Sequence, residues 1–241
     1  MISRWFSLVL AALLPMTVIA QGPPACRLPD RIDVPRPERA PRGEASRPMP
    51  VGGYLLALSW SPEYCASRRS QERRDAMQCG GASGRFGWVL HGLWPQGTAR
   101  SGADYPAWCR PARIVPQRVL AQHLCRSPSP QLLQRQWAKH GTCMSPTPAA
   151  YFKAAGILFD AVRFPDMAAL AARPQTAASI RRAFAAANRG LTPATIAVHG
   201  DGSGWLREVR LCLGRQMRPA ACAPAQRGMG DTRPLRIRMS M

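Results

Sequence analysis

Arg85-Phe86-Gly87-Trp88-Val89-Leu90-His91-Gly92-Leu93-Trp94-Pro95 is the stretch on which the reading of this chain turns. Residues 85–90 form a short, mostly apolar run of the kind that fills a buried strand. The run passes without a turn signal into His91-Gly92, and Trp94-Pro95 follows at once. Taken alone, a histidine at a strand end is usually structural, so its meaning depends on what the rest of the chain brings to it.

Working outward, Tyr54-Leu55-Leu56-Ala57-Leu58-Ser59-Trp60 is a second buried-strand candidate, closed by Ser61-Pro62. Residues 66–84, charged and Gly-containing, read as a loop. Downstream the period changes to that of helices. Pro116–Leu124 is a short one. Pro130–His140 has Ser129 as N-cap, proline at the first position and Gly141 as its stop. Thr147–Val162 carries Tyr151, Phe152, Ala155, Leu158, Phe159 and Val162 at helical spacing. Asp166–Ala172 and Thr176–Asn188 follow. Strands return at Thr195–His199 and Trp205–Leu213, with a further candidate at Leu235–Met239. Strands, then helices, then strands predict a single α+β domain with a central antiparallel sheet flanked by helices.

The chain has 241 residues, suited to one sizeable domain. Residues 1–20 read as an export signal: Arg4, an apolar stretch from Leu8 to Ile19, and small residues before Gln21. That stretch is too short for a secure membrane span, so stable membrane insertion is not expected. Residues 21–50, dense in Pro and Arg, read as a flexible arm, leaving 51–241 as the folded domain. Eight cysteines, with no C-x-x-C pair and no H-x-x-x-H pair, point to four disulfides rather than a metal site. A secreted or periplasmic location follows, and a monomer is the expectation. The net charge of +20 favours polyanionic partners, RNA among them. Lys139 and Lys153 are the only lysines and Asn188 the only asparagine, so part of that charge reflects compositional bias toward arginine.

There are four histidines. His123 reads as a surface residue and His199 as part of a turn. His140 is different, because Gln136, Lys139 and His140 share one helix face at i, i+3 and i+4. An amide, an ammonium and an imidazole make a poor core stripe and a good phosphate pocket. Trp137 and Leu133 lie toward the core, with Trp60 and Trp88 also read as core. RNA cleavage without a metal needs one group to remove the 2′-hydroxyl proton, one to protonate the departing 5′-oxygen, and a cation for the phosphorane. His91, His140 and Lys139 satisfy that list. Trp94 is placed to stack on a base.

His91-Gly92-Leu93-Trp94-Pro95 resembles the first active-site motif of the ribonuclease T2 family, and Trp137-Ala138-Lys139-His140-Gly141-Thr142-Cys143 resembles the second. Leu58–Cys65 resembles the family's first strand and cysteine, and the resemblance covers roughly 54–222. It implies that His140 is the base and His91 the acid, that Lys139 stabilises the phosphorane, and that the products are 2′,3′-cyclic phosphates. It also implies a Cys109–Cys143 disulfide. Cys65–Cys79 and Cys212–Cys222 fit local clips, which leaves Cys26–Cys125. Two departures stand out. Arg135 and Gln136 occupy the positions where the family usually has His-Glu, with Arg135 a candidate phosphate ligand. Gln96 stands where an acidic residue often helps to read the base.

The leading expectation is therefore a broad-specificity endoribonuclease on single-stranded RNA, needing neither metal nor cofactor. The alternatives are an RNA-binding relative that has lost turnover through Gln136, and a basic protein acting on surfaces by charge alone. The last predicts effects that survive alanine at both histidines.

Overall fold

The computed structural model describes residues 26–67, 75–99, 101–102 and 104–239. The proposed export signal lies outside them. The element order is β1 (Gly53–Trp60), α1 (Ser61–Ser67), α2 (Ala76–Cys79), β2 (Trp88–Gln96), α3 (Gln117–His123), α4 (Pro130–Lys139), α5 (Pro148–Asp160), α6 (Met167–Ala171), β3 (Gln175–Thr176), α7 (Ala177–Ala187), β4 (Ile196–Gly200), β5 (Leu206–Gly214) and β6 (Pro234–Leu235). Four strands form an antiparallel sheet in the order β2-β1-β5-β4, so the two ends of the chain's strand-rich regions interleave. This is the expected α+β architecture.

One face of the sheet makes the main core. Leu56, Leu58, Trp60, Trp88, Leu90, Leu93, Val209 and Leu211 pack there against Leu133, Trp137, Tyr151, Phe152, Ile180 and Phe184 from the helices. Trp60 and Trp88 are thus core residues, and Trp88 meets Phe184 edge-on at 5.3 Å. The opposite face carries Leu55, Ala197, Cys212 and Trp94.

Helix starts follow their capping chemistry. The Ser129 and Thr147 side chains accept from Leu132 N and Ala150 N, each with proline next in sequence. The sheet edges are covered rather than exposed. On β2, Tyr151 Oη accepts from Leu93 N and donates to Leu93 O, and Leu90 N donates to Arg126 O. On β4, Val198 exchanges backbone bonds with Arg227 and Met229.

Several expectations are corrected. Residues 66–84 are not all loop: α1 continues to Ser67 and α2 forms over Ala76–Cys79. The last strand is only Pro234–Leu235, paired with β3. His123 is buried at 8% exposure, its ring 5.4 Å from Phe152 on α5. Its position on the inner side of the amphipathic α3, beside Val119 and Leu120, overrides its polarity. His199 belongs to β4 and pairs with Glu208 rather than lying in a turn.

The arm is laid along the body from Cys26 onward. Cys26 is bonded to Cys125, Arg36 and Gln131 exchange two hydrogen bonds, and Arg47 bridges Ala107. Its few apolar groups gave no sign of this, because backbone and charged side chains make the attachment. The remaining disulfides are Cys65–Cys79, Cys109–Cys143 and Cys212–Cys222.

Arg181 of α7 is 1% exposed and donates to the carbonyls of Ile196, Arg227 and Met229 as well as to Asp231. It ties residues 227–231 over the β4 edge. Arg181→Met preserves bulk but removes the side-chain donors to those carbonyls, and is expected to lower stability by roughly 1–3 kcal/mol. The midpoint of urea unfolding measures it.

Candidate active site

His91 owes its direction to an irregularity in β2. Leu58 pairs with Leu90 and Ala57 with Gly92, so His91 is an extra residue with no partner on β1. Three residues apart, His91 and Trp94 would face opposite sides of a regular strand. The bulge shifts the alternation by one and puts both on the face away from the main core. Their rings meet edge to face at 5.1 Å.

Helix α4 supplies the second half. Gln136 and His140, one turn apart, both reach Trp94: Trp94 Nε1 donates to Gln136 Oε1 at 2.7 Å, and the His140 ring stacks on the indole at 5.5 Å and 27°. Gly92 is required at this crossing, since a Cβ there would overlap Gln136 Oε1 and Trp94 Nε1. Gly141 is required for the turn that follows α4, since a Cβ would overlap the Trp137 and Tyr151 rings. Cys109–Cys143 fastens this turn to the segment after β2.

The two histidines thus gather around one indole in different surroundings. His140 is 7% exposed. Burial, then the positive charges of Lys139, His91 and Arg135, push its pKa well below the usual imidazole value, which favours a neutral ring ready to accept a proton. His91 is a third exposed at its side chain, and its Nδ1 lies 2.6 Å from Glu208 Oε2. Burial opposes ionisation of Glu208, but the hydrogen bond and charge of His91 and the Arg210 guanidinium outweigh it and bring its pKa down to about 2.

Lys139, by contrast, points toward the arm. Its Nζ donates to Glu44 Oε2 at 2.9 Å and lies 5.8 Å from the ring centres of Tyr105 and Trp108. Glu44 also accepts from Trp108 Nε1, and these two hydrogen bonds hold its carboxyl below the usual range. Arg135 is exposed and 3.6 Å from Glu38, another arm carboxylate. The cations of α4 therefore stand in a shared field with two carboxylates of residues 26–50.

Two expected substrate contacts are differently employed. Trp94 is not a free stacking surface, because His140 and the Arg210 guanidinium, 4.7 Å from its ring centre, already lie on it. Gln96 turns inward: Nε2 donates to the Trp94 and Pro95 carbonyls and Oε1 accepts from Gln226. Among the described residues, no cluster of three or more His, Cys, Asp or Glu has the arrangement of a metal site.

Glu208, Arg210, Glu38 and Glu44 were not foreseen as site residues. The first two had a signal: charged residues at i and i+2 of Leu206–Leu213 mark one face of a strand. Which face that was required knowing that β5 sits inside the sheet. The arm carboxylates had none, since their segment has the composition of an unanchored chain.

His140, His123 and His199 are all held below the ordinary imidazole value of 6.5 chiefly by burial, His199 at about 4. Each binds its proton more weakly folded than unfolded, so stability is complete above pH 6.5 and is lost as the pH falls below it. Glu208 acts with the same sign lower down, its contribution complete above 4.5 and lost toward about 2. The urea midpoint is expected to decline steadily on acidification from neutrality, with a second decline in the carboxyl range.

Comparison with known proteins bears on the family and the fold. The sequence profile of the ribonuclease T2 family matches residues 51–222, more than two thirds of the chain. A probable ribonuclease of Haemophilus influenzae is 42% identical over 126 residues, covering 48% of this chain and 45% of that one. Ribonuclease I of Escherichia coli is 29% identical over 132 residues, covering 41% and 49%. The chain thus aligns with about half the length of the curated relatives it matches. Among solved structures, the RNase-related protein from Calystegia sepium superposes with a TM-score of 0.60 at 19% identity, covering 77% of this chain and 96% of that one. RNase NT in complex with 5′-AMP gives 0.57 at 19% identity, covering 78% and 98%. With the two histidine motifs, the fold and the profile in agreement, this chain belongs to the ribonuclease T2 family.

Proposed function

We propose that this protein is an endoribonuclease that cleaves single-stranded RNA by transesterification, with His140 as base and His91 as acid. The observation that carries the reading is the pair of imidazoles on one indole with unlike surroundings: one buried among cations, the other bonded to a buried carboxylate. In the first step the neutral His140 takes the 2′-hydroxyl proton as the 2′-oxygen attacks phosphorus. The P–O5′ bond breaks, and the 5′-oxygen takes a proton from His91. The products are a 2′,3′-cyclic phosphate and a 5′-hydroxyl. Water then opens the cyclic ester with the two roles exchanged. No residue in this scheme needs a metal.

Lys139 and Arg135 supply positive charge beside the reacting phosphate. The Lys139 ammonium has three donors, so its bond to the partly exposed Glu44 leaves capacity for a phosphate oxygen. Gln136 serves by fixing Trp94, a task an amide performs without a carboxylate's charge. This weakens the case for a binding protein that has lost turnover. Broad base preference is supported by Gln96, whose amide is committed inside the protein. An exported enzyme in the periplasm or outside the cell is consistent with four disulfides, and a monomer remains the proposal for its assembly. Among the described residues no helix is long and apolar enough to cross a membrane.

Oxidised protein incubated with a defined single-stranded RNA in EDTA is expected to yield 2′,3′-cyclic phosphate ends, read by mass. His91→Ala and His140→Ala should each reduce the rate by about 10²–10⁴-fold, the usual worth of a general acid or base. Cleavage unaffected by both substitutions would overturn the assignment. Binding of RNA by folded protein with no cleavage would favour the binding relative.

A further inference from the structure

We propose that Glu208 is the positioning residue of the acid–base pair, a buried carboxylate that holds His91 by Nδ1 so that the catalytic proton leaves from Nε2. The inference rests on the ribonuclease reading and adds to it a residue that neither motif contains.

His91 needs such a partner. As the unpaired residue of a bulge on an edge strand, it has no ladder neighbour to fix its ring. Glu208 lies two strands away, on β5, and reaches His91 across β1. Ser59 of β1 marks the path, since it pairs with Val89 on one side and Glu208 on the other. Its Oγ donates to Glu208 Oε2 at 3.2 Å, the same oxygen that His91 meets at 2.6 Å. Glu208 Oε1 accepts from Arg210 Nε at 2.6 Å. Both oxygens are committed, so the carboxylate cannot swing. Arg210 in turn lies over Trp94, which touches both histidines. A closed circuit of contacts fixes His91 relative to the other imidazole.

The protonation logic follows. Glu208 is 8% exposed and stays ionised down to about pH 2. An ionised carboxylate only accepts hydrogen bonds, so His91 Nδ1 must carry a hydrogen in both of its charge states. Neutral His91 is then the Nδ1–H tautomer, with its lone pair on Nε2, and cationic His91 has its transferable proton there. The carboxylate also compensates the positive charge that the ring carries before transfer. The charged and titratable groups around the pair are Glu208 and Arg210 on β5, His199 on β4, Lys139 and Arg135 on α4, and His140 at its C-cap.

Two measurements test this. In wild-type protein, nitrogen-15 shifts of the imidazoles at a pH where His91 is neutral should show the Nδ1–H tautomer; an Nε2–H tautomer would overturn the proposal whatever the variants do. In Glu208→Gln, kcat on a dinucleotide substrate is expected to fall by at least about 10–100-fold, the loss seen when the hydrogen-bond partner that orients a metal-bound imidazole is removed. KM should change little, and the alkaline limb of the kcat profile should move to lower pH. Glu208→Asp should recover part of both effects. A folded Glu208→Gln protein that keeps its kcat and pH profile, even with a lowered Tm, would show the contact to be structural and overturn the proposal. Wild-type protein with the Nδ1–H tautomer but no cleavage of RNA would instead overturn the ribonuclease reading beneath it.

Discussion

The bulge at His91 is the constraint on which the site depends. A strand alternates its side chains, and His91 and Trp94 are separated by an odd number of positions. One extra residue, placed where Leu58 and Ala57 meet Leu90 and Gly92, brings both to the same face. The apolar partners Leu90 and Leu93 remain in the main core on the other side. The same insertion therefore serves packing and chemistry. Removing it would exchange core for site along the rest of β2.

Around that bulge the molecule assembles a closely connected centre on the indole of Trp94. Gln136 holds its N–H, while His140 and Arg210 lie on its ring. Helix α4 is kept in place from below by Trp137 in the core, and from its C-terminal end by Gly141 and the Cys109–Cys143 bond. Tyr151 closes the edge of β2 next to the bulge with both of its hydrogen-bonding functions. Catalytic groups need placement to a fraction of an ångström, and here His91 lies within a paired strand and His140 at the cap that ends α4.

What the sequence disclosed divides along the chain distance over which an interaction acts. His91, Trp94, Gln136, Lys139 and His140 were legible because each motif is local: a strand end with glycine, and one face of a capped helix. The sheet-and-helix class followed from periodicity for the same reason. Glu208 was not legible as a partner of His91, because the two are 117 residues apart and meet only through strand order. His123 looked exposed because Val119 and Leu120, not its own chemistry, set the face it shares. Residues 26–50 read as a flexible arm tied at most through Cys26, because their other attachments are backbone bonds and the Glu44–Lys139 pair, neither of which has a compositional signature. Those residues lie outside the family match at 51–222.

The division of labour between the two histidines is open to a chemical dissection. A substrate whose scissile 5′-oxygen is replaced by sulfur expels a thiolate, which needs no proton to depart. Single-turnover cleavage of that substrate should be restored toward the wild-type rate in His91→Ala, which lacks only the acid. It should remain slow in His140→Ala, where the 2′-hydroxyl still has no base. Rescue of His140→Ala instead, or of neither variant, would contradict the placement of acid on the bulged strand and base at the end of α4.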